Sequence, residues 1–196
     1  MSCKICLDTN VLLSFLSASK HEDLRLIYEK SKKDQNFVFS NWTYLLFTGE
    51  TLIISPLSTW EFTVNRKGAC SVSDLLNFID YLKNRFGAST QIDPMTLALS
   101  YLFATATSIP CDDSYHFIHA IRNSADFFAT GDKDFKAYKE ERKDENIAMM
   151  KEILQHHNPI ASIKKEIIEE ELIRVSKLTW ARIIREPIEV PTMITL

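Results

Sequence analysis

Two short apolar runs in this chain each end in a carboxylate: CKICL leads directly into Asp8, and DFFAT leads through Gly131 into Asp132. Both runs have the length and residue types of short buried strands. After Asp8, the segment NVLLSFLSA carries its apolar residues at helical spacing, so strand, polar turn and helix follow one another. Acidic side chains should avoid the ends of buried strands, because clustered carboxylates repel one another and are costly to desolvate. A bound divalent cation resolves that conflict. Magnesium and manganese favour oxygen ligands, are held by a few carboxylates, and leave room for substrate phosphates in their shell.

The remaining chain alternates in the same way. HEDLRLIYEKSKK (21–33) predicts an amphipathic helix with Leu24, Ile27 and Tyr28 on one side. Residues 34–51 are irregular and rich in aromatics (Phe37, Phe39, Trp42, Tyr44, Phe47), which reads as an inserted hairpin or loop. These rings could stack unpaired bases, but burial of the insertion against the body is favoured, with a dimer or partner surface as the next option. LIIS (52–55) predicts a strand, after which Ser55 can cap and Pro56 can open a helix carrying Trp60, Glu61 and Phe62. Trp60 and Phe62 are expected to pack, and Glu61 taken alone could be a surface residue.

Helices are further predicted over 71–86, from Asp93-Pro94 to about Thr107, and, after the break at Pro110, from about Cys111 to Asn123. The run 139–145 reads as a solvated mixed-charge stretch, and IAMM after it as either an edge strand or the start of a helix. Residues 160–186 predict one long C-terminal helix with Ile163, Ile167, Ile168, Leu172 and Val175 on its apolar side, ended by Pro187 and Pro191. Strands alternating with helices predict an α/β fold whose mostly parallel central sheet is flanked by helices. Ligands of such sheets collect beyond the carboxyl ends of the strands, so Asp8 and Asp132 should face one crevice.

With 196 residues and 45% hydrophobic side chains, the chain can bury one substantial core. The expected organisation is a domain over 1–150, including the 34–51 insertion, and a helical extension and tail over 151–196. Lys plus Arg number 23 against 26 Asp plus Glu, a net charge of -3, which excludes the strongly basic proteins that coat nucleic acid. Any polyanion must therefore be met locally. No stretch resembles a signal peptide, and the apolar runs fall short of the ~20 residues of a membrane span, so a cytoplasmic protein without membrane association is expected. Four cysteines then read as reduced thiols. Cys3 and Cys6 have CxxC spacing, but residues three apart on a strand face opposite sides, which favours packing over zinc or redox use.

The ordered segments LDTNVLL (7–13), STWEF (58–62), DDSYHFIHA (112–120) and ATGDKDF (129–135) resemble the PIN-domain family. Each is weak alone, and the set in this order is fairly specific. The match runs from the start of the chain to about Tyr138. The resemblance implies a three-layer PIN-like fold and a Mg2+- or Mn2+-dependent endoribonuclease. Asp8, Glu61, Asp113 and Asp132 would hold the metal, and Asp134 stands where the family often has a further ligand. Asn10 and Thr130 match positions that orient the carboxylates. Asp112 sits beside Asp113 and could be read as the third acid, although the following His116 and the spacing to Asp132 favour Asp113. Hydrolysis would proceed by metal-activated water without a covalent intermediate.

Many members are toxins of bacterial toxin–antitoxin pairs, which implies an RNA substrate, an antitoxin protein as partner and a homodimeric assembly. Two alternatives stand beside this reading: a catalytically inactive scaffold that binds protein or RNA, and a nuclease acting on DNA structures. The aromatic insertion and the segment after about residue 150 depart from the small members of the family. His116 and His119 lie one helical turn apart, but without an HExxH-type pattern a structural role is favoured for both. Lys133, Lys136, Lys139, Arg142 and Lys143 either hold a nucleic-acid backbone beside the acids or form a solvated face.

Overall fold

The structure, a computed structural model, describes residues 4–11, 51–65, 80, 83, 84 and 91–184. Four strands form one sheet: β1 (Lys4–Leu7), β2 (Thr51–Ile54), β3 (Phe127–Ala129) and β4 (Arg182–Ile184). Their order is β2-β1-β3-β4, and every pairing is parallel. The register sets Cys6 between Ile53 and Phe128, and Leu7 between Ile54 and Ala129. Helices flank the sheet: α1 (Pro56–Asn65), α2 (Pro94–Thr107), α3 (Cys111–Arg122), α4 (Lys143–His156) and α5 (Lys165–Lys177). The fold is therefore α/β with an all-parallel sheet, as the alternation of strand and helix signals predicts.

Successive strand residues point to opposite faces, and both sets are buried here. Cys6 and Phe128 enter the main core, while Ile5, Leu7, Ile54 and Ala129 are also buried. A parallel sheet covered on both faces needs apolar residues at consecutive positions, which is why these strands show no alternation.

Local signals start α1 and α2, and stop α2, where expected. Ser55 Oγ accepts the Ser58 backbone N–H at the start of α1, and Asp93 accepts from Met95 N and Thr96 N at the start of α2. Ser108 ends α2 in the left-handed region at φ 63°, returning its N–H to the Ala104 carbonyl. Of the helix predicted over 71–86, the described residues Asp80, Lys83 and Asn84 are helical. The predicted helix over 21–33, residues 34–50 of the insertion with its five aromatics, and Cys3 lie outside the described residues.

Phe117 of α3 is the hub of the core. Its ring centroid lies 5.5 Å from Phe103, 5.6 Å from Phe128, 5.3 Å from Tyr138 and 6.0 Å from Trp180. Offset and edge-on aromatic contacts of this kind add to simple burial. Behind α3, Arg122 binds Asp93 at the start of α2 and Glu171 of α5 together.

Two expectations are corrected at the C-terminal end. The helix predicted over 160–186 is instead α5 over 165–177, followed by β4, whose Ile184 carbonyl accepts the Thr130 N–H. Arg182-Ile183-Ile184 fits helix or strand by residue type, and the free edge of β3 decides between them. The boundary at residue 150 falls inside α4, which also absorbs IAMM. Met150 and Leu154 share one core with Ile168, Leu172, Val175 and Trp180, so residues 151–184 complete the domain rather than extend it. No helix among the described residues is long and apolar enough to cross a membrane.

Candidate functional site

The chain passes from β1 to β2 on one side and returns to β3 on the other, so the sheet order reverses around β1. Crevices form at such reversals, beyond the carboxyl ends of the strands. Asp8 follows β1 there, and Thr130-Gly131-Asp132 follow β3.

Asp8 is almost fully buried and held by three donors. Its Oδ1 accepts the Thr9 N–H at 2.6 Å, and its Oδ2 accepts Asn10 Nδ2 at 3.0 Å and the Thr130 hydroxyl. Asn10 Oδ1 in turn accepts the Gly131 N–H at 2.9 Å, which ties the β1 turn to the β3 turn. Thr130 Oγ1 accepts the Asp132 N–H, and Asp132 Oδ1 accepts the Asp134 N–H, both at 2.9 Å. Asn10 and Thr130 thus orient the Asp8 carboxylate by direct contact. Burial pushes the Asp8 carboxyl up from its ordinary value despite His116 and these hydrogen bonds.

Asp113, Asp132 and Asp134 each bring a carboxylate oxygen within 4.8 Å of the others, a set that could hold a metal ion. Asp113 stands in the first turn of α3, where the helix N-terminus favours an anion. Burial, then the charges of Asp132, Asp8 and Asp112, push its carboxyl up to about 7. Asp112 is exposed beside it and lies outside the cluster. Between the two adjacent acids, the fold turns Asp113 to the site.

Glu61 stands apart from these three, against His116. His116 is 1% exposed and bridges α3 to α1 and to the β1 turn. Its Nδ1 lies 2.5 Å from Ser55 Oγ and 3.3 Å from Ser58 Oγ. Its Nε2 lies 3.2 Å from Glu61 Oε2, 3.3 Å from Thr9 Oγ1 and 3.8 Å from Asp8 Oδ1. The Thr9 hydroxyl also donates to Glu61 Oε2. Burial opposes the charged forms of both partners, yet the pairing wins: His116 is pushed up and Glu61 is held below its ordinary value.

Sequence reasoning gave His116 a structural part but did not find its hydroxyl partners Thr9, Ser55 and Ser58. The available signal was the three-residue spacing from Asp113 to His116, which sets both on one helix face. His119 faces elsewhere and stacks on Tyr115 at 6.2 Å, and burial lowers its ring to about 4. Trp60, expected to pack, is 60% exposed, while Cys6 is buried in the core with a free thiol. Of the cations after Asp132, Lys143 serves the fold, donating to the Leu178 carbonyl at 2.7 Å and lying 5.7 Å from the Trp180 ring centre. Lys133 and Lys136 are exposed. No family model, curated protein or solved structure matches this chain.

Proposed function

We propose that this chain is a divalent-metal-dependent endoribonuclease of the PIN type. The observation that carries the reading is the convergence of Asp113, Asp132 and Asp134, with buried Asp8 beside them, at the reversal point of a parallel sheet. The donor set fits a hard cation, because every side chain in it offers a carboxylate oxygen and none offers sulfur or imidazole. Asp113, Asp132 and Asp134 would hold Mg2+ or Mn2+. When bound, such an ion offsets charge on a phosphoryl oxygen and makes a bound water more acidic.

The chain's own residues prepare that chemistry. Asn10, Thr130 and the Thr9 N–H fix the Asp8 carboxylate, while His116 and Thr9 fix Glu61 at the edge of the acidic set. Water is the attacking group in this reading. RNA as substrate, an antitoxin protein as partner and a homodimeric state rest on the four-segment resemblance.

The test is cleavage of a labelled single-stranded RNA and its DNA counterpart with manganese, magnesium or chelator, comparing wild type with Asp8→Asn and Asp113→Asn. Metal-dependent RNA cutting that both substitutions abolish is expected. Cutting that persists in both variants, or is absent from the wild type, would overturn the catalytic reading in favour of an inactive scaffold.

A further inference from the structure

A pocket of about 250 Å³ opens beside the acid cluster, and Asp134 belongs to both. The segment after Asp134 and the first turns of α4 supply Tyr138, Lys139, Arg142, Glu145, Asn146 and Met149 to its wall. Asn146 is 8% exposed, and its side-chain amide makes no hydrogen bond to any described residue. An amide carries two donor hydrogens and an acceptor oxygen. Solvent still reaches the Asn146 amide atoms, so they are available to pair with whatever enters the pocket.

The surrounding residues narrow what that is. Met149, 45% exposed, offers polarisable apolar contact suited to the face of a ring. Lys139 is exposed, and its amine has no partner among the described residues. Arg142 pairs with Glu145 at 3.2 Å, but with the two side chains 63% and 69% exposed the pair is weak and easily exchanged. The volume falls below the ~300–1,000 Å³ of sites for drug-sized ligands, which leaves room for one base. A side-chain amide matches a base edge that presents a donor beside an acceptor, and such edges are free in unpaired RNA.

We infer that this pocket receives one unstacked nucleotide of a single-stranded RNA, its base edge on Asn146 and its phosphate between Lys139 and Arg142. The pocket is thus the base-selecting subsite next to the acids, a placement that rests on the nuclease reading above. Asp134 joins the two, so a strand with a phosphate at the acid cluster runs directly into the pocket.

Two measurements test this separately from the nuclease reading. The first is binding of adenosine 5′-monophosphate in chelator, followed by NMR titration of wild type, Asn146→Ala and the double variant Lys139→Ala/Arg142→Ala. Saturable binding in the wild type, weakened about tenfold in each variant, is expected. No binding, or equal binding in all three, overturns the pocket. The double variant changes only exposed side chains, so the test survives if Asn146→Ala does not fold.

The second is cleavage with manganese of RNAs differing in one base beside the cut. The double variant should raise KM about tenfold with the loss falling on KM rather than kcat, and Asn146→Ala should flatten the base preference. Cleavage with unchanged KM and preference overturns the pocket and leaves the nuclease standing. A wild type that binds the mononucleotide but cuts nothing overturns the nuclease and leaves the pocket.

Discussion

Asp113→Asn should make the metal-free protein more stable and the manganese-bound protein less so. The three cluster carboxylates have oxygens within 4.8 Å of one another. At that separation a like-charge pair costs about 0.9 kcal/mol in water and about 3.5 kcal/mol at an effective dielectric of 20. Asp113 is half-buried, so water screens part of this. Its place in the first turn of α3 works the other way, since neutralising an acid there forfeits about 0.3–1 kcal/mol. The balance is a gain of about 1–2 kcal/mol, or about 2–8 °C in Tm for a chain of this length.

Manganese at a hundred times its Kd would stabilise the wild type by about 2.7 kcal/mol, and the variant, having lost one ligand, by much less. The order of the two melting temperatures should therefore invert between chelator and saturating manganese, read by differential scanning calorimetry at pH 8. A variant that melts lower than wild type in chelator refutes the repulsion argument. Equal manganese shifts in both proteins refute the cation site.

Trp180→Ala should cost about 3–5 kcal/mol in urea unfolding, since its ring packs on Phe103 and Phe117 in the shared core; a loss under about 1 kcal/mol would mean that the C-terminal segment is a dispensable appendage after all. His116→Ala should cost about 2–3 kcal/mol by the same assay, because Glu61 and Ser55 lose their buried partner, and an unchanged midpoint would contradict the bridge. Glu171 is held below its ordinary value by Arg174 and Arg122, so its contribution is fully present above the unfolded value of about 4.5 and is lost as pH falls through the lower folded one. Arg122→Met should lower stability at pH 7 and flatten the decline below pH 4.5, and parallel acid limbs in the two proteins would argue against it.

Much of the site was legible in the chain because its chemistry is local. An acid that directly follows a buried strand must lie near the sheet's carboxyl edge, so Asp8 and Asp132 could be placed from their immediate neighbours. The turns that carry Asn10 and Thr130 are likewise set within a few residues of those acids. Helix starts at Pro56 and Pro94 and the break at Pro110 follow from capping and proline geometry, which need no tertiary partner.

Other features depended on residues far apart in the chain. Whether Asp112 or Asp113 faces the site is a question of helix rotation, and the apolar residues Phe117 and Ile121 settle it by packing α3 against the sheet. The His116 bridge joins residues 9, 55, 58 and 61 across three elements, and the amide of Asn146 has a pocket before it only because α4 lies over the turn that follows β3. The short run 182–184 has no period long enough to choose a state for itself. A strand of three residues exists only where a neighbour accepts its hydrogen bonds, so β3, folded from residues more than fifty positions earlier, made it one.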